Sequence, residues 1–257
     1  MAKLNRLLLS LTILSLVAGS AFAAPVVIDD FEYPVMAPPI AEHVMELYSI
    51  GTGHQYTNPG ADPGLPLAST LGGRRDFELT YIQGGRTGGE CKVRTAGDPG
   101  QRYLDYSNTS GVESQFDLEY GEVSDLSTDL SFQSGIEFYV LFPTDVPSQF
   151  ILRLWSDVGE LEETEGYHVY ALPEGFSGLY YMPFTDFPGI NFTDVDGISF
   201  SFGFASTSGP GDGGATYAAS FDVSLDFIQT SVIPEPTTLT LLGLAGLALA
   251  RRRRLAR

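Results

Sequence analysis

The segment Ile198-Ser199-Phe200-Ser201-Phe202-Gly203-Phe204 places an apolar side chain at every second residue, with Ser or Gly between. A period of two is that of a β-strand with one face in a core and the other in water; an amphipathic helix needs 3.6. The same alternation recurs in Phe221-Asp222-Val223-Ser224-Leu225-Asp226-Phe227, in Ile136 to Val140, and in Phe150 to Trp155. Turn signals separate these runs: Asp98-Pro99-Gly100, Phe142-Pro143, Asp196-Gly197, and the Gly-rich stretch Ser206 to Gly214. No stretch has a helical period of useful length, and Ile40 to Ile50 gives only the hint of a helix turn. Many short strands without crossover helices predict an all-β chain, an antiparallel β-sandwich, jelly roll or barrel. The runs 198–204 and 221–227 are its expected central strands, with Phe202 and Leu225 facing inward. Pro34 to Gly73, diluted by Pro, Gly and Ala, is expected as long loops between edge strands. No internal repeat or Pro/Ser-rich linker divides the body, so one domain is expected there.

The two ends read differently. Lys3 and Arg6 precede the apolar stretch Leu7 to Ala18, and Ala21-Phe22-Ala23 has the A-x-A form of a leader cleavage site. Cleavage between Ala23 and Ala24 is expected, since one bond later Pro25 would flank the scissile bond. At the other end stand Pro234-Glu235-Pro236, whose two prolines stop strand or helix and leave an accessible extended hinge. The uncharged segment Thr237 to Ala250 follows. As a helix it would cover about 21 Å, short of the roughly 30 Å hydrocarbon core unless the bilayer thins and arginines snorkel. Arg251, Arg252, Arg253 and Arg254 then form a stop that marks the cytoplasmic side. The chain thus divides into a signal peptide, 1–23; a β-sandwich body, 24–231; and a C-terminal signal, 232–257, with a short transmembrane helix.

Pro-Glu-Pro, a short apolar helix and an arginine-rich end, in that order at the C-terminus, closely resemble the PEP-CTERM sorting signal of Gram-negative bacteria. The resemblance implies export, a transient inner-membrane anchor, and processing near Pro234-Glu235-Pro236 by an exosortase, a membrane cysteine protease. It further implies delivery to the cell surface or extracellular matrix, in company with exopolysaccharide. A looser resemblance covers the body. Ile28-Asp29-Asp30-Phe31-Glu32, Ser134 to Val140, Phe176 to Phe184, Val195 to Phe200 and Ser220 to Ile228 look like a galactose-binding-like jelly roll, the architecture of carbohydrate-binding modules. That likeness implies the sandwich and a glycan as ligand.

Charge narrows the partners. Leader and tail hold seven of the 14 Lys+Arg (Lys3, Arg6, Arg251 to Arg254, Arg257) but only one of the 32 Asp+Glu (Glu235), so 31 acidic and seven basic groups remain. A mature body near −24 repels nucleic acid and anionic polysaccharide alike. Cys91 is the only cysteine, so no intrachain disulfide forms and the core must supply stability.

Catalytic chemistry has little material. His43, His54 and His168 show no zinc spacing, and no G-x-S-x-G nucleophile motif occurs. Asp117-Leu118-Glu119 puts two acids on one strand face, as in some glycosidase pairs, though a solvated face explains them more simply. Glu160 to Glu165 reads as an acidic surface loop. Hard cations take six to eight oxygens, and Asp29, Asp30 and Glu32 open the domain that Asp222 and Asp226 close. These five are the candidate calcium ligands, which the jelly-roll resemblance would place between first and last strands. Tyr103, Tyr106, Trp155, Tyr167, Tyr170, Tyr180 and Tyr181 are candidates by type for a sugar platform. A non-enzymatic exported surface or matrix protein is therefore expected, associated with exopolysaccharide and able to bind glycan. A secreted glycan-active hydrolase and a purely structural surface protein without ligand are the alternatives.

Overall fold

A computed structural model describes residues 24–32, 44–56, 70–84, 89–98, 100–121, 125–157 and 164–232. The expected signal helix, the Pro234-Glu235-Pro236 motif, the transmembrane helix and Arg251 to Arg254 lie outside the described residues, as does His43. Pro25–Ser231 forms one compact unit.

Its described residues make 14 strands: β1 (Val27–Asp29), β2 (Val44–Leu47), β3 (Gly51–Tyr56), β4 (Asp76–Gly84), β5 (Cys91–Ala96), β6 (Tyr103–Asn108), β7 (Val112–Tyr120), β8 (Gln133–Val140), β9 (Ser148–Ser156), β10 (Thr164–Leu172), β11 (Gly178–Pro183), β12 (Val195–Ser206), β13 (Thr216–Tyr217) and β14 (Val223–Val232). They form two antiparallel sheets. The first runs β11-β8-β14-β6-β5-β2, with β1 paired to β14. The second runs β10-β9-β12-β7-β4-β3, with β13 paired to β12. This is the expected antiparallel β-sandwich, and β12 and β14 hold the central places that their alternation predicts.

Alternation builds the core. On β7, Phe116, Leu118 and Tyr120 are fully buried, and on β9 so are Phe150, Leu152 and Leu154. Phe202 sits among aromatic rings from both sheets. Its centroid lies 5.5 Å from Phe150, 6.1 Å from Phe138 and 6.3 Å from Phe116. Burial of such rings supplies most of the stabilisation, helped by offset and edge contacts. Phe202 and Leu225 face inward as expected, both with no exposed surface. Cys91 is buried in the same core, and burial pushes its thiol up to about 11, so it is an inert thiol.

Three local expectations need correction. The hint of a helix between Ile40 and Ile50 gives way, in its described part, to β2 and the bend before β3. These strands are the outermost of the two sheets, so the 34–73 region supplies edge strands as well as loops. On β14 the alternation slips: Leu225 and Ile228 both point inward, while Phe227 turns outward and stacks on Tyr139 at 6.0 Å. On β12 the register against β9 shifts between Ser201 and Phe204. Gly203 causes that shift: it has φ +103°, and a side chain there would collide with the Ser114 carbonyl and the Tyr106 hydroxyl. The bulge carries Phe204 out of the core, away from the face that simple alternation gives it.

Candidate functional site

The outward face of the second sheet carries side chains that the strand pairing aligns in rows. Tyr167, Arg153, Ser199, Glu119 and Asp76 lie across five strands in one row; Val169, Ile151, Ser201, Asp117 and Glu78 form the next. Over this face folds the chain between β12 and β13. Together they enclose a cleft of about 220 Å³, floored by Gln115, Asp117, Glu119, Ile151, Arg153 and Ser201, and walled by Phe204, Tyr217 and the loop from Gly209 to Ala215.

Asp117 is the centre of the floor. It is only 8% exposed, and the Gln115 amide donates to both of its oxygens, at 3.0 and 2.8 Å. Burial pushes its carboxyl up to about 6; hydrogen bonds from Ser201 and Gln115 oppose the rise, while Glu78 beside it adds to it. Arg153 stands on β9, two strands from Asp117 across β12, paired with Glu165 at 3.2 Å and held 5.4 Å from the Trp155 ring centroid. The Trp155 ring itself covers Gly197, where any side chain would strike it. The indole thus braces the arginine from the side.

The wall is apolar where β13 returns: Phe204 and Tyr217 pair across strands, rings 5.5 Å apart. The loop ahead of it is tied at several points. The Thr207 amide donates to the Gln149 side chain at 2.8 Å, and Asp212 accepts from the Ser208 amide and hydroxyl and from the Gly214 amide. Those donors hold the Asp212 carboxyl below its ordinary range. Gly209 lies against the Tyr167 ring, so closely that no side chain fits between. Hydroxyl, amide, carboxylate and guanidinium groups beside an aromatic wall can donate to, accept from and pack against a hydroxyl-rich molecule.

Asp117 and Glu119, the two acids that the sequence puts on one strand face, do share the outward face of β7. Gln115, Arg153, Ser201, Phe204 and Tyr217 were not foreseen as partners; Gly203, interrupting a run of phenylalanines, is the one sequence signal that marks where the wall begins. Of the seven candidate platform aromatics, Tyr106 is fully buried and Tyr170 is 8% exposed. Tyr167 and Tyr181 are exposed on opposite sheets, while Tyr103, Trp155 and Tyr180 are half-buried. His168 is half-buried against Tyr170, and His54 falls on β3.

The five candidate calcium ligands are not brought to one place. Asp29 turns into the core, 3.2 Å from the Arg75 guanidinium, and accepts from Tyr120 and the Phe31 amide. Asp30 accepts from the Glu32 amide, and the Glu32 carboxylate takes the Gly100 and Arg102 amides. Asp226 lies near enough to Glu32 for its charge to add to the raising effect of burial. Asp222, four residues before Asp226, accepts instead from the Asn108 amide, and the nearby acids are Asp145 and Asp105. Among the described residues no three His, Cys, Asp or Glu side chains are grouped to hold a metal ion.

Comparison with known families assigns the tail. Residues 232–254 match the PEP-CTERM protein-sorting motif. The chain ends in a PEP-CTERM signal. The match takes in Pro234, Glu235, Pro236 and Arg251 to Arg254, and leaves the sandwich unassigned. A PEP-CTERM signal implies an exported protein processed by an exosortase. Among solved structures, the body is similar to a family 11 carbohydrate-binding module from Clostridium thermocellum, solved with a β-1,3-1,4-mixed-linked tetrasaccharide. That match has 12% identity and a TM-score of 0.39, over 82% of this chain and 97% of that one. The family 11 module of the cellulosomal cellulase Lic26A-Cel5E from the same organism gives 13%, 0.39, 82% and 96%. No curated protein matches the chain.

Proposed function

We propose that this is a non-enzymatic exported protein, carried by its C-terminal signal to the cell surface or extracellular matrix, where the cleft on the second sheet binds polysaccharide. The PEP-CTERM match supports the sorting half. The binding half rests on the cleft: an acid, amide and hydroxyl floor around Asp117 beside the Phe204–Tyr217 wall. Processing releases the body from a transient anchor in the inner membrane, so the mature protein meets extracellular polysaccharide. The test is made in a host that carries an exosortase. The full chain is expected to yield processed protein in the surface or medium fraction, while alanines at Pro234, Glu235 and Pro236 leave it in the inner membrane. The released protein should then be retarded in gels containing neutral polysaccharide. Unretarded migration on every polymer tried would remove the glycan half and leave a structural surface protein.

The hydrolase alternative draws on one observation, the carboxyl of Asp117 at about 6 within the cleft. A group so placed could give or take a proton near neutral pH. Release of reducing sugar from a retained polymer, lost in Asp117→Asn, would favour that alternative over binding alone.

A further inference from the structure

We infer that the cleft takes one non-anionic sugar residue, at a chain end or branch tip, and does not hold a run of polysaccharide backbone. The inference deepens the glycan-binding proposal and depends on it. Size is the first argument. About 220 Å³ is below the roughly 300–1,000 Å³ of sites that enclose drug-sized ligands, and is on the scale of a single pyranose ring with its hydroxyls.

The second argument is the course of the 207–215 loop. It leaves β12, is fastened to Gln149 on β9 by the Thr207 amide, and sets Gly209 on Tyr167 of β10. The loop therefore crosses the outer half of the sheet face, where a polysaccharide laid across the strands would have to pass. Three hydrogen bonds into Asp212 fix its shape before any ligand arrives. A wall already ordered costs little to use and does not open readily. The sugar that enters meets this wall on one side, Phe204 and Tyr217 on another, and the Asp117–Gln115–Ser201 floor beneath.

Charge sets the sugar class. Asp117, Glu119 and Asp212 line the cleft against a single cation, Arg153, which is already paired with Glu165. A uronate or sulfated sugar would bring a further negative charge into a set where three carboxylates already outnumber one guanidinium, so it is disfavoured. Neutral hydroxyls suffer no such penalty and can donate to the carboxylates.

Calorimetry and saturation-transfer NMR on the processed, exported protein test this. The probes are D-glucose, D-galactose, D-mannose, N-acetyl-D-glucosamine and D-glucuronate, then oligosaccharides of the sugars that bind. We expect at least one neutral monosaccharide to bind and glucuronate not to. Affinity should rise by less than about threefold, roughly 0.7 kcal/mol, from disaccharide to hexasaccharide. Tyr217→Ala or Gln115→Leu should weaken the monosaccharide about tenfold in protein that circular dichroism shows to be folded. Affinity that climbs more steeply with chain length, equal binding of glucuronate, or monosaccharide binding indifferent to both substitutions would each overturn the inference while glycan binding stands. Failure of every sugar and every polymer would overturn glycan binding itself.

Discussion

Asp29 and Asp117 are both carboxylates removed from water, both raised by that burial, and yet they are built to opposite ends. Asp29, with no exposed surface, meets Arg75, Tyr120 and the Phe31 amide, and Arg75 is in turn enclosed between the Phe31 and Phe77 rings. Burial raises its carboxyl and the guanidinium opposes the rise. Every group there belongs to the protein, so the cluster ties β1 to the second sheet through Tyr120 of β7. Asp117 takes its hydrogen bonds from Gln115 and Ser201, with Arg153 acting on it through charge alone from two strands away, and its site opens to the cleft. A buried acid closed by an arginine is a fastening; one whose hydrogen bonds come from neutral donors keeps acceptor capacity for something else.

The sharpest way to break this contrast is to remove the first carboxylate. Asp29→Ala takes the counter-charge from a guanidinium with no exposed surface and the acceptor from Tyr120. Urea unfolding should show a loss of about 3–5 kcal/mol. Sugar binding by the fraction still folded should not change. A loss below about 1 kcal/mol would mean that the cluster is not a fastening.

The second test is pH. Asp117 sits near 6 when folded and near 4 when unfolded, so the folded state holds a proton that the unfolded state has released between those values. The contribution of Asp117 to stability is then greatest below about pH 4, falls as pH rises toward 6, and levels off above; burial of Asp29 acts in the same direction. Thermal melts should show a decline of about 1–3 kcal/mol across the window, with a shallower slope in Asp117→Asn. Stability that rises through the same window would place ionised, well-paired carboxylates at both sites.

How these two acids were foreseen shows what the sequence can carry. The strands were legible because alternation is local: Phe150, Leu152 and Leu154 declare their face within five residues. The sorting signal was legible for the same reason, being contiguous from Pro234 to Arg254. The weak edge strand β2 was not, since four residues between Pro-rich and Gly-rich sequence leave no pattern to count. Neither was the cleft. Its floor comes from three strands and its wall from a loop a hundred residues downstream of Gln115, and Ser201 on an outward face looks like any solvated serine. Asp29 looked like a calcium ligand because sequence shows that it is acidic and near the terminus. It does not show that Arg75 will lie opposite.

A smaller effect on stability, and a larger one on binding, is expected from Asp117→Asn. The amide keeps the shape and removes a charge from a desolvated floor, so unfolding free energy at neutral pH should move by no more than about 1 kcal/mol. Binding of a neutral sugar should nonetheless weaken about tenfold by calorimetry, since a hydroxyl donor loses its charged acceptor. If the substitution instead unfolds the protein as severely as Asp29→Ala, the two acids are both fastenings and the contrast fails.

Calcium gives the smallest expected shift, and it tests the same distinction at the domain's ends. A shared ion needs Asp29, Asp30, Glu32, Asp222 and Asp226 to offer oxygens to one point. Asp29 is committed to Arg75, the Glu32 carboxylate takes two backbone amides, and Asp222 lies apart beside Asn108. Glu32 lies near Asp226, while Asp30 accepts from the Glu32 amide, so the set offers fewer convergent carboxylates than a strong site uses. A ligand that binds only the folded state raises stability by an amount set by its concentration over its dissociation constant, so a weak pair yields almost nothing. Melting curves in calcium and in chelator should therefore coincide for the processed protein. A clear rise in calcium, absent from Asp226→Ala and not reproduced by magnesium, would show that the acids at the two ends converge on an ion after all. Asp29 would then have to release Arg75 to join them, and Asp29→Ala would lose the calcium response along with the fastening.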